Sequence, residues 1–486
     1  MTNFKTGGPW ITRFAPSPTG ALHLGNVRTA ILNHLLAKQS GGKFLLRLED
    51  TDQERSTFAA EAAILWSMSW LGLVPDEPVR HQSLRLDLYR RAVASLMAEG
   101  QAYPCFCTDA ELEQDRKEAA AKNLPPRYSG RCARMSADER TEKLNRGDAH
   151  AIRFRLPEKS EVSFTDLIKG QVSIPAGAFG DFVLLRSNGW PSYNLAVVVD
   201  DADMGVNMVL RGEDHLTNTA RQILLYEALR LTAPAFAHHG LLMDSDGQKL
   251  SKRSGALSIP ECMEMGLESL AVVQYLASLS GALPTKNIFA SLDEMARAFN
   301  PFAIGRGNAV MSLDELNALS ARVFRAADLA DQVHELGESL PADHAWHEID
   351  PQIRRHLLAS LRENAANLQE LRALLPLFTE KETRFTPSAL TELSASLPVL
   401  GALDHAMSAH NPDASLHKDE ASALLRRISQ EAGVKGRQLY HPIRLALTGS
   451  DSGPELATLL SLLPAALIRE RTQTVLNIFS HCNHKE

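Results

Sequence analysis

The sequence predicts an α/β domain built on a parallel sheet and interrupted by an α+β insertion, followed by an all-α half. Over the first hundred residues, short runs rich in β-branched and aromatic side chains alternate with segments of helical periodicity, the pattern of a helix-covered parallel sheet. Beyond about Leu267 strands nearly vanish, and Leu and Ala recur at helical spacing with breaks near Pro284, Pro341, Pro387 and Pro412. The chain has 486 residues, which at roughly 150 residues per domain predicts about three domains.

In order, Trp10–Phe14 is a short strand, and Ala15–Gly20 is a loop of Pro and Gly. A helix follows in which Val27, Ile31, Leu32, Leu35 and Leu36 share one face, ended by Gly41 and Gly42. Phe44–Leu48 is the next strand and Leu84–Glu99 a second amphipathic helix, stopped by Gly100. From Tyr103 the texture changes to closely spaced cysteines, a polar helix, Pro125 and Pro126, and β-like segments Ile152–Leu156 and Phe182–Leu185, as expected of an insertion. Alternation of strand and helix resumes at Leu195–Val199 and Val206–Leu210, and the polar, Gly-containing loop Asp244–Gly255 closes the region.

Composition narrows the function. With 44% hydrophobic and 22% charged residues the chain is not disordered. The 51 Lys and Arg against 58 Asp and Glu leave a net charge of −7, which excludes a uniformly basic coat while allowing a local basic face. No apolar stretch approaches a membrane span, and Met1–Trp10 lacks the apolar core of a secretory signal, so a cytoplasmic protein with no membrane partner is expected. Five cysteines suit a reducing compartment.

The first loop carries chemistry. A strand, then Ala15-Pro16-Ser17-Pro18-Thr19-Gly20, then a helix opening near His23-Leu24-Gly25-Asn26 puts a helix N-terminus at the carboxyl end of a strand, where open α/β sheets bind phosphates. His23 can hydrogen-bond a phosphate oxygen, and Gly25 keeps no side chain between a nucleotide and the backbone. Far downstream, Lys249-Leu250-Ser251-Lys252-Arg253 places two lysines three apart, able to surround a triphosphate and neutralise charge as a P–O bond breaks. Alone, each segment reads as an ordinary turn; the pair points to a nucleotide site.

Together they resemble the His-Ile-Gly-His and Lys-Met-Ser-Lys-Ser signatures of class I aminoacyl-tRNA synthetases, with Leu24, Asn26, Leu250 and Arg253 as departures. The closer resemblance is to bacterial glutamyl-tRNA synthetases: Arg13 to Gly20, Leu46 to Asp52, Pro191 to Asn194, Asp200-Asp201 and Arg211 to His215 look like that family's blocks in its order. The resemblance implies a Rossmann-like catalytic domain in two halves, 1–102 and 191–255, an acceptor-stem-binding insertion over 103–190, a helical connecting domain over 256–325 and an α-helical anticodon-binding region over 326–486. It implies ATP-dependent attachment of L-glutamate to tRNA-Glu through a glutamyl-adenylate, with ATP and Mg2+, a monomeric enzyme, and adenylate formation that waits for tRNA. Charging of tRNA-Gln as well is left open. A glutaminyl enzyme is disfavoured by the Leu48 to Asp52 block, a short tRNA-Asp modifying relative by length, and an inactive tRNA-binding relative by the retention of both halves of the ATP site.

Carried over by position, His23, Lys249 and Lys252 are the catalytic candidates, and Pro16, Gly20, His23, Gly25, Asn26, Lys249, Ser251 and Lys252 the ATP-binding ones. Glutamate has two carboxylates and an ammonium, so its pocket needs guanidinium forks and a carboxylate. The resemblance assigns Arg13 and Arg211 to the substrate carboxylates and Glu49 to the amino group, with Ala15, Ser17, Tyr193 and Asn194 beside them. Arg47 reads instead as a structural partner of Asp50 or Asp52.

Charge is uneven. Between Arg116 and Arg134 six basic residues face one acid, and between Arg426 and Arg444 five face one. Arg116, Lys117, Arg127 and Arg131 in the insertion, and Lys435, Arg437 and Arg444 in the helical half, are the tRNA-binding candidates. Cys105, Cys107 and Cys132 resemble the zinc knuckle of many family members, but Arg134 stands where the fourth ligand would be, so no metal is assigned; Tyr128 is a substitute donor in a remnant of that site.

Overall fold

A computed structural model describes residues 8–121, 127–158, 161–250, 257–380, 382–412, 414–451 and 453–480. The chain divides into two compact units after Leu319.

In the first unit, β1 (Ile11–Phe14), α1 (Leu24–Ser40), β2 (Lys43–Leu48), α2 (Phe58–Trp70), β3 (Arg80–His81) and α3 (Leu86–Ala98) form one arm, with β1, β2 and β3 paired in parallel. The turn from α1 to β2 works as its glycines suggest. Gly41 caps the helix at φ 68°, and a Cβ on Gly42 would lie 1.9 Å from the Trp10 carbonyl oxygen, so only glycine lets the chain turn so close beneath β1. Helix α2 has no counterpart in the periodicity, because its Ala, Leu, Trp and Met side chains are apolar on nearly every face. Its start is marked instead by Thr57, whose hydroxyl accepts from the Ala60 amide at 3.1 Å.

The next stretch runs β4 (Ala102–Cys105), α4 (Asp109–Ala121), α5 (Ala137–Asn145), β5 (Ala151–Phe154), β6 (Glu161–Asp166), β7 (Gly170–Pro175) and β8 (Val183–Leu185). Strands β4, β5 and β8 make a small antiparallel sheet. The hairpin of β6 and β7 does not stay with them: Asp166 on β6 pairs in parallel with Phe236 of the main sheet. The hairpin was hidden in the sequence because Asp166, a charged residue that is fully buried, breaks its apolar alternation.

The unit continues with α6 (Tyr193–Asp203), β9 (Met208–Gly212), α7 (Leu216–Ala228), β10 (Ala235–His239) and β11 (Leu242–Met243), which pairs with β12 (Ala309–Val310). The apolar run Leu195–Val199 lies wholly in α6, and Val206–Leu210 leads into β9. Strands β9, β10 and β6 extend side by side. Asn207 joins them to β1, donating its amide to the Ile11 carbonyl at 3.2 Å and accepting the Ile11 amide at 2.7 Å. The chain thus winds out in opposite directions from β1 and β9, and the carboxyl ends of these two strands flank the crevice where such sheets take ligands.

From Ser320 the second unit is helical, with two cores. One gathers Leu336, Leu357, Leu358 and Leu361 around the fully buried Trp346; the other gathers Leu400, Leu425, Ile428, Ile443, Leu459 and Ile468. Prolines punctuate it: Pro387, as expected, and also Pro351 open helices behind the caps Thr386 and Asp350.

Candidate active site

At the crevice lies a cavity of about 660 Å3. Its lining includes Arg13, Ala15, Pro16, Ser17, Gly20, His23, Gly25, Asn26, Glu49, Tyr193, Arg211 and Lys249, so most of the residues singled out in the sequence meet in one place. Asn194 stands behind the wall, its Oδ1 accepting from Gln222 Nε2 at 3.2 Å. Ser251 and Lys252 lie outside the described residues.

The floor is the loop between β1 and α1. The Glu49 amide donates to the Pro16 carbonyl at 2.9 Å, fixing the loop to the end of β2. His23 is the N-cap residue of α1, in extended conformation, and its ring fills the space beside Gly25: a Cβ there would come within 3.0 Å of the imidazole. Gly25 therefore serves the histidine as well as any ligand. At the rim, Lys249 Nζ donates to Asp214 Oδ2 at 2.7 Å, and both side chains are substantially exposed.

One wall is a buried ion network. Arg13 Nε reaches both oxygens of Asp201 at 3.1 and 3.2 Å, and Arg47 donates to Asp201 at 2.5 Å and to Glu49 at 3.3 Å. Arg47 does not pair with Asp50 or Asp52. Asp50 accepts from the Ser83 amide and hydroxyl, Asp52 pairs with Arg55, and the fully buried Arg47 turns inward to the α6 carboxylates. Side chains two apart in extended chain share a face, so Glu49, just past the end of β2, is within reach of Arg47 while Asp50 is not. Burial raises the Glu49 carboxyl against the opposing pull of Arg47 and Arg13. Burial also acts to raise Asp201, but the two guanidinium groups prevail and hold it below the ordinary carboxylate range.

The opposite wall holds Arg211 with neutral partners only. Its Nη2 donates to Thr219 Oγ1 at 2.6 Å and Gln222 Oε1 at 2.7 Å, Nη1 to the Tyr193 hydroxyl at 3.3 Å, and Nε to His238 Nε2 at 3.3 Å. Among the described residues no carboxylate lies within ion-pair distance of this buried guanidinium, and burial lowers its pKa. His215, which meets the Tyr193 hydroxyl at 3.1 Å, is pushed down to about 4, first by burial and then by the charge of Arg211. Sequence reasoning did not find Asp201, Thr219, Gln222 or His238 as members of the site. A signal for two of them was present: His215, Thr219 and Gln222 follow one another at helical spacing, on one face of the segment after Arg211.

The cysteines lie apart from the cavity. The sulfur atoms of Cys105, Cys107 and Cys132 are within 4.8 Å of one another, and the Tyr128 hydroxyl is 3.5 Å from both Cys105 Sγ and Cys107 Sγ. Arg134 turns to the Ser129 carbonyl, and the Tyr128 hydroxyl stands beside the thiols instead.

Among the basic candidates, Arg116 pairs with Glu113, and Arg131 with Glu111 and Asp115. These acids lie on α4 just ahead of the counted window, so the local positive charge is smaller than that window suggests. Lys117 and Arg127 are exposed; Lys435 and Arg437 are exposed at the head of the helix Arg437–Thr448, whereas Arg444 is half-buried with Nη1 on the Pro454 carbonyl.

No helix among the described residues is long and apolar enough to cross a membrane. A family model for the catalytic domain of class I tRNA synthetases of the E and Q type matches residues 10–318, and one for an anticodon binding domain matches 316–476. The chain is 37% identical to a glutamate–tRNA ligase of Heliobacterium modesticaldum over 93% of each chain. It is 39% identical to glutamate–tRNA ligase 2 of Alkalilimnicola ehrlichii, over 95% of this chain and 96% of that one. In structure it resembles a glutamate tRNA ligase from Elizabethkingia meningosepticum solved in complex with its amino acid, with a TM-score of 0.84 at 25% identity over 96% of this chain and 99% of that one. The chain belongs to the class I tRNA synthetases of the E and Q type.

Proposed function

We propose that this protein is a glutamate–tRNA ligase, joining L-glutamate to tRNA-Glu through a glutamyl-adenylate and releasing pyrophosphate and then AMP. The observation that carries the choice of amino acid is Arg211, a buried cation with only neutral partners, in a cavity whose other arginine is already neutralised by Asp201. A site with positive charge left over suits a substrate with two carboxylates better than one with an amide.

In this reading Arg211 and Arg13 receive the substrate carboxylates and Glu49 the ammonium, with Ala15, Ser17 and Tyr193 shaping the pocket and Asn194 supporting it through Gln222. The α-carboxylate attacks the α-phosphorus of ATP, and pyrophosphate leaves. His23, Lys249 and Lys252 meet the phosphates; Pro16, Gly20, Gly25, Asn26 and Ser251 form the rest of the nucleotide bed. The terminal ribose hydroxyl of the tRNA then attacks the glutamyl carbonyl and AMP departs. The protein's part is positioning and charge neutralisation, with no covalent enzyme intermediate.

Among the described residues the cavity holds no cluster of three metal-binding side chains, and its one rim carboxylate outside the ion network, Asp214, is engaged by Lys249. Mg2+ therefore fits here as part of the nucleotide substrate, where it supplies charge neutralisation on the phosphates. Cys105, Cys107, Cys132 and Tyr128 fit a closed four-donor zinc site, in a structural and not a catalytic place. Zinc near one equivalent in the purified protein supports that site; a content near zero overturns it.

The insertion over 103–190 and the helical segments 256–325 and 326–486 are assigned to the acceptor stem, the connection and the anticodon. Lys117, Arg127, Lys435 and Arg437 are the phosphate contacts best supported by exposure, while Arg116, Arg131 and Arg444 would have to exchange present partners. The enzyme is taken to be a cytoplasmic monomer. Pyrophosphate exchange with glutamate, run with and without tRNA, and charging of tRNA-Glu and tRNA-Gln transcripts test the reading. Glutamate-dependent exchange and charging of tRNA-Glu support it, charging of both transcripts widens its specificity, and no exchange with any tRNA, or glutamine as the preferred substrate, overturns it.

A further inference from the structure

Behind Arg211 lies a chain of buried polar groups that the reaction itself does not use. Asp166 on β6 and His238 on β10 are fully buried, as is Thr219. Asp166 Oδ1 accepts three backbone amides, from Ile168 at 2.9 Å, Lys169 at 2.8 Å and His238 at 3.2 Å. Its Oδ2 is thereby aimed at His238 Nδ1, 2.6 Å away. A carboxylate can only accept there, so the ring proton sits on Nδ1 and Nε2 presents a lone pair. That lone pair faces Arg211 Nε at 3.3 Å and Thr219 Oγ1 at 2.9 Å.

We infer that Asp166 and His238 are positioning residues for amino-acid selection: they hold Arg211 in the pocket by a neutral acceptor, leaving its charge for the side-chain carboxylate of the substrate. A carboxylate placed directly on Arg211 would orient it equally well but would neutralise it, as Asp201 does Arg13. Interposing an imidazole sets the negative charge one side chain further back. The inference rests on the reading of Arg211 as a ligand of the substrate carboxylate.

Asp166→Asn tests it, because the geometry dictates which way the amide must face. The three backbone amides claim the carbonyl oxygen, so the new NH2 donates to His238 Nδ1 and the ring proton moves to Nε2. A donor then confronts the Arg211 Nε–H. Misplacement of a pocket group by a fraction of an ångström to 1 Å costs up to about 100-fold. The expected result in aminoacylation assays is a KM for glutamate raised about tenfold or more, with the KM for ATP unchanged and the preference for glutamate over glutamine reduced. Adding His238→Gln puts an amide oxygen where Nε2 was, and the double variant is expected to recover most of the loss, which a merely structural defect would not do. An unchanged glutamate KM in Asp166→Asn, or a uniform loss with no recovery in the double variant, overturns the inference. Should Asp166→Asn fail to fold, His238→Phe, which keeps a ring between Phe164 and Phe236 but offers no acceptor, must still raise the glutamate KM selectively, and an unaltered KM counts against the dyad. Arg211→Lys, assayed alongside, separates the two readings: an unchanged glutamate KM in that variant defeats the pocket assignment itself, whereas an effect there without one in Asp166→Asn defeats only the dyad.

Discussion

The two walls of the cavity solve one problem in opposite ways. Each must keep an arginine buried. On the β1 side the charge is balanced inside the protein, Arg13 and Arg47 sharing Asp201 and Arg47 reaching on to Glu49. On the β9 side the guanidinium is held by a hydroxyl pair, an amide and an imidazole, none of them charged. Burying an uncompensated charge is costly, so the second wall gives up stability for a cation that awaits its anion, whereas the first balances its charge within the protein.

Breaking the first wall should have the largest effect. Asp201→Ala leaves the buried Arg13 without a carboxylate and takes the nearest one from Arg47, and is expected to destabilise the protein by about 3–5 kcal/mol, read as a lower urea midpoint without a change in slope. A loss below about 1 kcal/mol would mean that the network is not what holds this wall together.

A smaller effect belongs to Tyr193, which gives the second wall one of its neutral partners. Tyr193→Phe removes a hydroxyl that accepts from Arg211 and meets His215. The net worth of such a bond is about 1 kcal/mol, roughly fivefold, and it should appear in the KM for glutamate and not in that for ATP.

The pH dependence of stability separates the walls more finely. His215 is pushed down to about 4 and His239 to about 3, both chiefly by burial. Their folded pKa values lie below the unfolded value of about 6.5. The unfolded chain therefore binds more protons, and stability that is complete above that value is lost as pH falls toward 4. Asp201, held below the ordinary carboxylate range, yields only at lower pH still. Melting temperature should fall from pH 7 to 4 as each histidine removes at most about 1.4 kcal/mol of stability per pH unit, and His215→Gln should flatten the decline. An equal slope in the variant would place the proton uptake elsewhere.

Much of this was legible in the sequence, for definite reasons. The loop Ala15–Gly20, His23, Gly25 and Lys249 could be placed because local chemistry, a turn into a helix and a Lys-rich loop, identifies them without knowledge of the fold. Arg13, Glu49 and Arg211 could be placed only through resemblance, since a lone charged residue at a strand end has no pattern. The partners of those residues were hidden because they come from afar: Asp201 approaches Arg13 from α6, and Asp166 approaches His238 from a hairpin in what reads as an insertion. Arg47 shows the same limit in reverse, for its nearest acids in sequence are not its partners in space. Helix α2 escaped because an apolar segment without a polar face has no period to detect.

What sets the second wall apart is that the charge of Arg211 is kept for the substrate. Arg211→Met measures this most directly, with unfolding free energy and the steady-state KM for glutamate and glutamine taken on the same preparation. The expected result is a protein as stable as the parent or more so, a glutamate KM raised about 10- to 100-fold for a lost charge-assisted contact of about 1.5–3 kcal/mol, and little change for glutamine. A strongly destabilised protein whose glutamate KM is unchanged would contradict it, showing Arg211 to be a structural cation.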